Sequence, residues 1–136
     1  MSDQFTIVEG IGTARNLVFA TWLKSYQTSS IHAKGIPKDL FFAEHHRLIE
    51  RIFERDPVVR LAVLPDDHDV VLGWVVGTPG IVHYVYVKPS FRRYGIARAL
   101  LKPFGDKFTY THATYVLRDL YPRLDGCVYN PYEAHR

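Results

Sequence analysis

The sequence predicts an α+β domain, with a mixed, mostly antiparallel sheet of about six strands flanked by helices in the order β-α-α-β-β-β-α-β-α-β. Three observations carry this prediction. Residues 58–64, 70–76 and 81–87 are apolar, β-branched or aromatic runs in close succession, separated by short Pro-, Asp- or Gly-containing turns. Residues 38–55 put Phe41, His45, Leu48, Ile49, Ile52 and Phe53 on one helical face. Residues 83–101, HYVYVKPSFRRYGIARALL, read as a strand, a basic glycine-containing turn and the start of a helix.

Taken in order, Phe5 to Val8 is a short first strand. Gly10-Ile11-Gly12-Thr13 follows as a tight turn, with no third glycine at dinucleotide-binding spacing, and Thr13 is the expected N-cap of a helix. Residues 14–26 then carry Leu17, Val18, Trp22, Leu23 and Tyr26 at helical spacing. Residues 27–37 are polar and contain glycine, so a loop is expected before the long second helix, which Pro57 ends. Residues 58–64 and 70–76 form a hairpin across the polar turn 65–69. Residues 81–87 are apolar on both faces apart from His83 and two tyrosine hydroxyls, which suits a central strand. Pro103 shortens the helix that begins at Gly95. A strand over 108–115, a short helix over 116–121 and a last strand over 127–129 complete the order.

Length and composition narrow the function. A chain of 136 residues, 47% apolar and 23% charged, is one domain, residues 1–136, with a sizeable core. The N-terminus has neither a basic nor an apolar leader pattern, and no apolar run approaches the ~20 residues of a membrane span. The single cysteine, Cys127, rules out an internal disulfide and gives no metal cluster, so a reducing, cytoplasmic setting is expected. Glu44-His45-His46 with Glu50 lacks a third ligand and is read as one packed and one exposed helical histidine. Trp22 and Trp74 are read as core.

The net charge of +3 is unevenly placed. Lys88, Arg92, Arg93, Arg98, Lys102 and Lys107 face one acid, Asp106, within a single stretch. A strand that feeds a basic turn and a helix start can hold an anion, because the N–H groups of a helix's first turn have no intrahelical partner and the helix dipole adds to the attraction. Gly95 lets the backbone approach such a ligand closely. General nucleic-acid binding is not indicated, since the basic residues are not interleaved with aromatics in a known pattern.

These residues resemble the GNAT superfamily of acetyl-coenzyme-A-dependent N-acetyltransferases. The resemblance rests on Val87, Pro89, Arg92, Gly95 and Ala97, which fill a pattern of strand-terminal Val, then x-Pro-x-x, then Arg/Gln-x-x-Gly-x-Gly/Ala. It implies acetyl-CoA as co-substrate. The backbone of Val85, Tyr86 and Val87 would pair with the pantetheine arm. The amides of Arg93, Tyr94, Gly95, Ile96, Ala97 and Arg98 would hold the pyrophosphate, and Arg92, Arg93 and Arg98 would supply the positive field. Short proteins of this type also occur in bacteriophage and prophage genomes, and two N-terminal segments give that impression.

Acetyl transfer from a thioester to an amine requires the amine to lose a proton, the carbonyl oxygen to be polarised and the leaving thiolate to be protonated. His83, four residues before Val87, is the candidate general base, since some members of the family carry a histidine there and imidazole titrates near ~6.5; a buried core histidine is the competing reading. Tyr121 is the candidate acid, by likeness to a family tyrosine, with Tyr129 and Tyr132 as rivals. Thr114 stands where the family often has Asn. His32, Phe41 and Phe42 lie where the family shapes its acceptor pocket.

Fifteen residues follow Tyr121, room for one strand but not a hairpin. The fold is therefore expected to be C-terminally shortened, with the acceptor site open, completed by a second chain or reduced. An exposed strand edge would favour a homodimer. The acceptor amine is not named by the sequence, and aminoacyl-tRNA, used by toxin members of the family, is one candidate. Besides an acetyltransferase, a non-catalytic acyl-CoA-binding or phage-associated structural protein on the same fold and an acyltransferase for longer acyl chains fit the sequence.

Overall fold

The computed structural model describes residues 4–114 and 126–136. The apolar central runs pair as expected. Strands β2 (Val58–Leu64), β3 (Asp67–Thr78) and β4 (Ile81–Val87) form successive antiparallel pairs, and β1 (Thr6–Glu9) pairs antiparallel with β2. Beyond β4 the direction changes: β5 (Thr109–Tyr110) runs parallel to β4, and β6 (Val128–Tyr129) parallel to β5. Among the described residues the sheet has six strands, in chain order. A parallel neighbour requires a crossover, and helix α4 (Ile96–Leu101) lies on it.

Side-chain alternation along β3 and β4 divides the apolar residues between two faces. On one face Trp74, Val76 and Tyr84 pack against α1 (Arg15–Ser29) and α3 (Lys38–Glu54), with the short α2 (Ile31–Lys34) between those helices. Trp22 and Trp74 are both fully buried there, their rings 5.6 Å apart, and the Trp74 indole donates to Thr21 Oγ1 at 2.9 Å. On the other face Leu72, Val75, Val85 and Val87 pack against Leu100, Leu101 and Phe104 in and after α4.

Two residues fix α4 to the sheet. A Cβ on Gly73 would stand 2.6 Å from the Tyr86 carbonyl oxygen and 3.3 Å from Ile96 Cγ2, so only glycine lets helix and strand come this close. Arg60, on β2, donates from Nη1 to the carbonyls of Ala99 (2.9 Å) and Leu100 (2.8 Å), the unpaired acceptors at the end of α4. Its Nε meets Glu9 Oε2 at 2.8 Å, but that carboxylate is exposed, so the bonds to the helix carbonyls matter more.

Several elements depart from expectation. The first strand runs one residue later than predicted. Thr13 is not the N-cap: Ala14 holds that place without a side-chain cap bond, because the turn is closed by Ala14 N–H donating to Ile11 O at 2.9 Å. The expected loop 27–37 is partly helical. Thr28 and Ser29 hydroxyls donate to the carbonyls of Lys24 and Ser25 and continue α1, and Ser30 then caps α2 by accepting from His32 N–H at 3.3 Å. β3 starts at Asp67, leaving a tighter hairpin turn. β5 is only two residues long, because residues 111–114 turn away from the sheet. The expected helix over 116–121, and with it Tyr121, lies outside the described residues. After β6, a 3₁₀ turn (Pro131–His135) capped by Asn130 folds back toward α3 and buries Ala134.

Replacing Arg60 by Met keeps the stem and removes the donors. The expected loss is about 2 kcal/mol, the scale of charge-assisted hydrogen bonds to buried acceptors, read as a lower urea midpoint at unchanged slope.

Candidate functional site

The site grows from a fault in β4. Across the β3–β4 ladder Val76 faces Tyr84 while the next residue, Gly77, faces Val82, so His83 is an extra residue on β4, a β-bulge. Gly77 accommodates it, since a Cβ there would fall on the Ile81 carbonyl oxygen and the Phe104 ring. On the other side of β4 the pairing with β5 covers Ile81 and Val82, and Thr111 N–H donates to Val82 O at 3.2 Å. Beyond that point β4 and the chain after β5 part among the described residues.

A cavity of about 170 Å³ opens at the parting, lined by Tyr84, Val85, Tyr86 and Val87, by Arg92 and Thr114, and by Ser25, Thr28 and Ser29 at the end of α1. Val85 and Val87 turn their side chains into the α4 core, and Arg92 Nε donates to Val87 O at 3.1 Å. The basic turn continues from there. Arg92, Arg93, Tyr94, Gly95 and Arg98 are exposed, whereas Ile96 and Ala97 are buried and anchor α4. Gly95, the N-cap, has φ +82° and Arg93 has φ +73°. Left-handed backbone at a non-glycine residue is uncommon and costs on the order of 1 kcal/mol. A Cβ on Gly95 would meet nothing within 4 Å, so it would project into the open space the turn faces.

A second cleft, about 510 Å³, lies on the helical side of the sheet. Tyr26, Phe41 and His45 wall it from α1 and α3, Thr111 and His112 from the end of β5, and Tyr129, Pro131 and Ala134 from the C-terminal segment. His32 lines it too, its ring stacked on Tyr129 at 5.6 Å. Phe42, expected here, packs half-buried against the helical core instead. Of the two rivals to Tyr121, Tyr129 lines the cleft and Tyr132 is 72% exposed. The short tail thus supplies a wall of the cleft from the chain's own residues.

Between the bulge and this cleft runs a buried polar chain. His83 Nδ1 lies 3.0 Å from Thr111 Oγ1, which lies 2.8 Å from His112 Nδ1; His112 Nε2 lies 2.8 Å from His45 Nε2. Aromatic rings enclose it: Tyr26 stacks on His45 at 5.2 Å, and Trp22, Tyr26 and Tyr84 all set edges against His112. His83 is 5% exposed and lines neither cavity, although its partner Thr111 lines the cleft and its neighbour Tyr84 the smaller cavity. The Tyr84 hydroxyl is 2.7 Å from Ser25 Oγ, and burial raises its pKa to about 12. His46, by contrast, is exposed and pairs with Glu50 at 3.4 Å, so the helical histidine pair is one packed and one exposed.

Burial holds all three chain histidines neutral. It lowers His83 to about 4, with the Arg55 charge adding to it, and His45 to about 4, with His135 adding. His112 is lowered well below the ordinary imidazole value, again mainly by burial. Thr111 and His112 were not singled out from the sequence, and no periodicity marks them; the pairing of residues 45 and 112 exists only in the fold.

The architecture has known counterparts. The aminoglycoside N-acetyltransferase AAC(6')-Iy, solved in complex with CoA, superposes with a TM-score of 0.51 at 15% identity, covering 92% of this chain and 89% of that one. The same enzyme in complex with a bisubstrate analogue, CoA-S-monomethyl-acetylneamine, gives 0.50 at 16% identity over 90% of each chain. A possible acetyltransferase of Clostridium difficile 630 gives 0.52 at 14% identity, over 94% of this chain and 80% of that one. The fold is that of the GNAT acetyltransferases. No family model matches the sequence, and no curated protein matches it.

The buried histidines make stability depend on pH. Their folded pKa values lie below the 6.5 of free imidazole, so the unfolded chain binds more protons as the solution is acidified. Stability is therefore full above pH 6.5 and falls as pH drops through 6.5 toward 4, the window set by His83 and His45. Urea midpoints measured across this range should show that fall, and His45→Phe should flatten it.

Proposed function

We propose that the chain is an N-acetyltransferase that moves an acetyl group from acetyl-CoA to an amine by direct attack. The observation that carries this reading is the edge of β4 beyond Val82, which on the β5 side pairs with no strand among the described residues and borders the cavity lined by Val85, Tyr86, Val87 and Arg92. An extended amide-bearing arm can add to such an edge as a strand would, with the exposed turn 92–95 at its far end for phosphates. The likeness in fold to an enzyme solved with CoA and with a CoA bisubstrate analogue supports the same ligand here.

The chain's residues would act as follows. Backbone groups of Val85, Tyr86 and Val87 would orient the pantetheine arm. The amides of Arg93, Tyr94, Gly95, Ile96, Ala97 and Arg98 would face the pyrophosphate, and Arg92, Arg93 and Arg98 would oppose its charge. Acetyl-CoA would supply the activated acyl group. His83, neutral at physiological pH, is a proton acceptor beside the parting, and a backbone N–H near Val85 would polarise the carbonyl. Tyr121 keeps its proposed role as acid toward the thiolate. The amine acceptor would enter from the histidine-lined cleft.

Calorimetric titration with acetyl-CoA tests the reading, followed by thiol-release assays across amine acceptors. The expected result is binding at micromolar to near-millimolar cofactor, weakened about tenfold or more by Gly95→Val, whose side chain would fill the space before the turn and strain its backbone. His83→Ala should lower turnover about a hundredfold with cofactor affinity kept, the usual scale of a lost general base. Binding without thiol release would favour a non-catalytic acyl-CoA-binding protein, and no binding would sink both readings.

A further inference from the structure

We propose that Thr111, His112 and His45 form a proton relay that connects His83, at the bulge of β4, with the cleft on the helical side of the sheet. The proposal rests on the acetyltransferase reading, but the relay itself rests on geometry. Three contacts of 3.0, 2.8 and 2.8 Å join four side chains without a gap, and their end-to-end order is set by atoms: His112, the one histidine between the ends, is bonded through both ring nitrogens. The interior members are almost wholly shielded, Thr111 being 2% and His112 3% exposed, while His45 is only partly buried and lines the cleft.

Neutral tautomers give the chain a single direction. A bare Nε2 on His83 leaves Nδ1–H to donate to Thr111 Oγ1; the threonine hydroxyl then donates to His112 Nδ1, and His112 Nε2–H to His45 Nε2. The 3.4 Å contact from Thr111 Oγ1 to the His83 carbonyl is the longer alternative for the same hydroxyl proton. When His83 Nε2 takes a proton from the attacking amine, its Nδ1 proton passes to Thr111, the hydroxyl proton to His112 Nδ1, and the His112 Nε2 proton to His45. His45 then releases its Nδ1 proton to water in the cleft.

No charge is left in the apolar interior, where an imidazolium would be costly. The reversed chain presents Nε2–H on His83. Giving that proton up to the tyrosinate that Tyr121, the proposed acid, would leave on protonating the thiolate draws a proton in at His45 and restores the first direction. Over one turnover the amine loses one proton, the thiolate gains one, and the relay is unchanged.

The groups that face the relay set its pH response. Arg55 acts on His83, and His135 of the C-terminal turn acts on His45 and His112. Glu44 and Arg51 line the cleft into which His45 opens, and the hydroxyl-bearing rings of Tyr26 and Tyr84 pack on His112.

The decisive variant is Thr111→Val, which keeps the shape and removes the hydroxyl, with Thr111→Ser as the conservative rescue. Imidazole nitrogen NMR on the free protein should show His83 and His112 neutral and in fixed tautomers at neutral pH, with both signals altered by Thr111→Val and kept by Thr111→Ser. With acetyl-CoA and an active amine, Thr111→Val should lower kcat about tenfold or more and change its pH profile, while calorimetric acetyl-CoA affinity stays within about twofold; Thr111→Ser should recover most of the rate. His45→Phe should lower kcat in the same way. Unchanged kcat and tautomers in Thr111→Val, with cofactor binding and turnover intact in the parent, overturn the relay alone. Failure of the parent to bind acetyl-CoA overturns the acetyltransferase reading, and the relay's catalytic role with it.

Discussion

The site depends on β4 pairing with β5, among the described residues, only at Ile81 and Val82. A central strand normally satisfies both of its hydrogen-bonding edges, because an unpaired buried N–H or C=O costs about as much as a lost hydrogen bond. Here β4 carries a bulge at His83, and among the described residues β5 pairs with it only at Ile81 and Val82. Thr111 meets the edge with its backbone N–H at Val82 and its hydroxyl at His83, and Arg92 meets the far end at Val87. What lies between is a short stretch of backbone bordering a cavity. Gly77 makes the bulge sterically possible, and so stands behind the site without touching it.

The helical face solves a different problem. Three histidines inside an aromatic cluster would be destabilising if their ring nitrogens lacked partners. The chain from His83 to His45 satisfies them in series, and one threonine hydroxyl, able to donate and accept, joins two rings that could not otherwise match. The contrast with Trp22 is instructive. Its buried indole nitrogen has no partner among the described residues, while the neighbouring Trp74 indole is bonded to Thr21. Polar satisfaction in this core is thus concentrated along the line that joins the bulge to the cleft.

Local signals made much of the fold legible in the sequence. Residues 58–64 and 81–87 are strands with the predicted ends, because β-branched runs bounded by Pro, Asp and Gly leave little choice. The long amphipathic helix ends one residue before its predicted limit. The basic turn, too, was visible, since Gly95 is needed where φ is positive and the apolar helix start follows at once. What escaped was whatever depends on distant pairing. The His45–His112 contact spans 67 residues, and neither residue carries a pattern that names the other. The polar stretch after α1 was read as a loop because Thr28 and Ser29 favour turns in isolation; in the fold their hydroxyls bond back to helix carbonyls.

The sheet's change of direction explains why these features meet at β4 and nowhere else. β4 has an antiparallel neighbour on one side and a parallel one on the other. An antiparallel partner can follow through a tight turn, whereas a parallel partner obliges the chain to leave the end of β4, cross one face and return. That departure places the basic turn and α4 directly after Val87, and the return brings Thr111 and His112 back beside the bulge. Strand geometry alone therefore brings an exposed basic turn and a polar chain to the same short edge. The anchoring of α4 by Arg60 and its close approach at Gly73 hold the turn in register with that edge. A shift of α4 along the sheet would move the amides of the basic turn relative to the carbonyl oxygens of β4, so residues remote from the cavity control how well turn and strand line up.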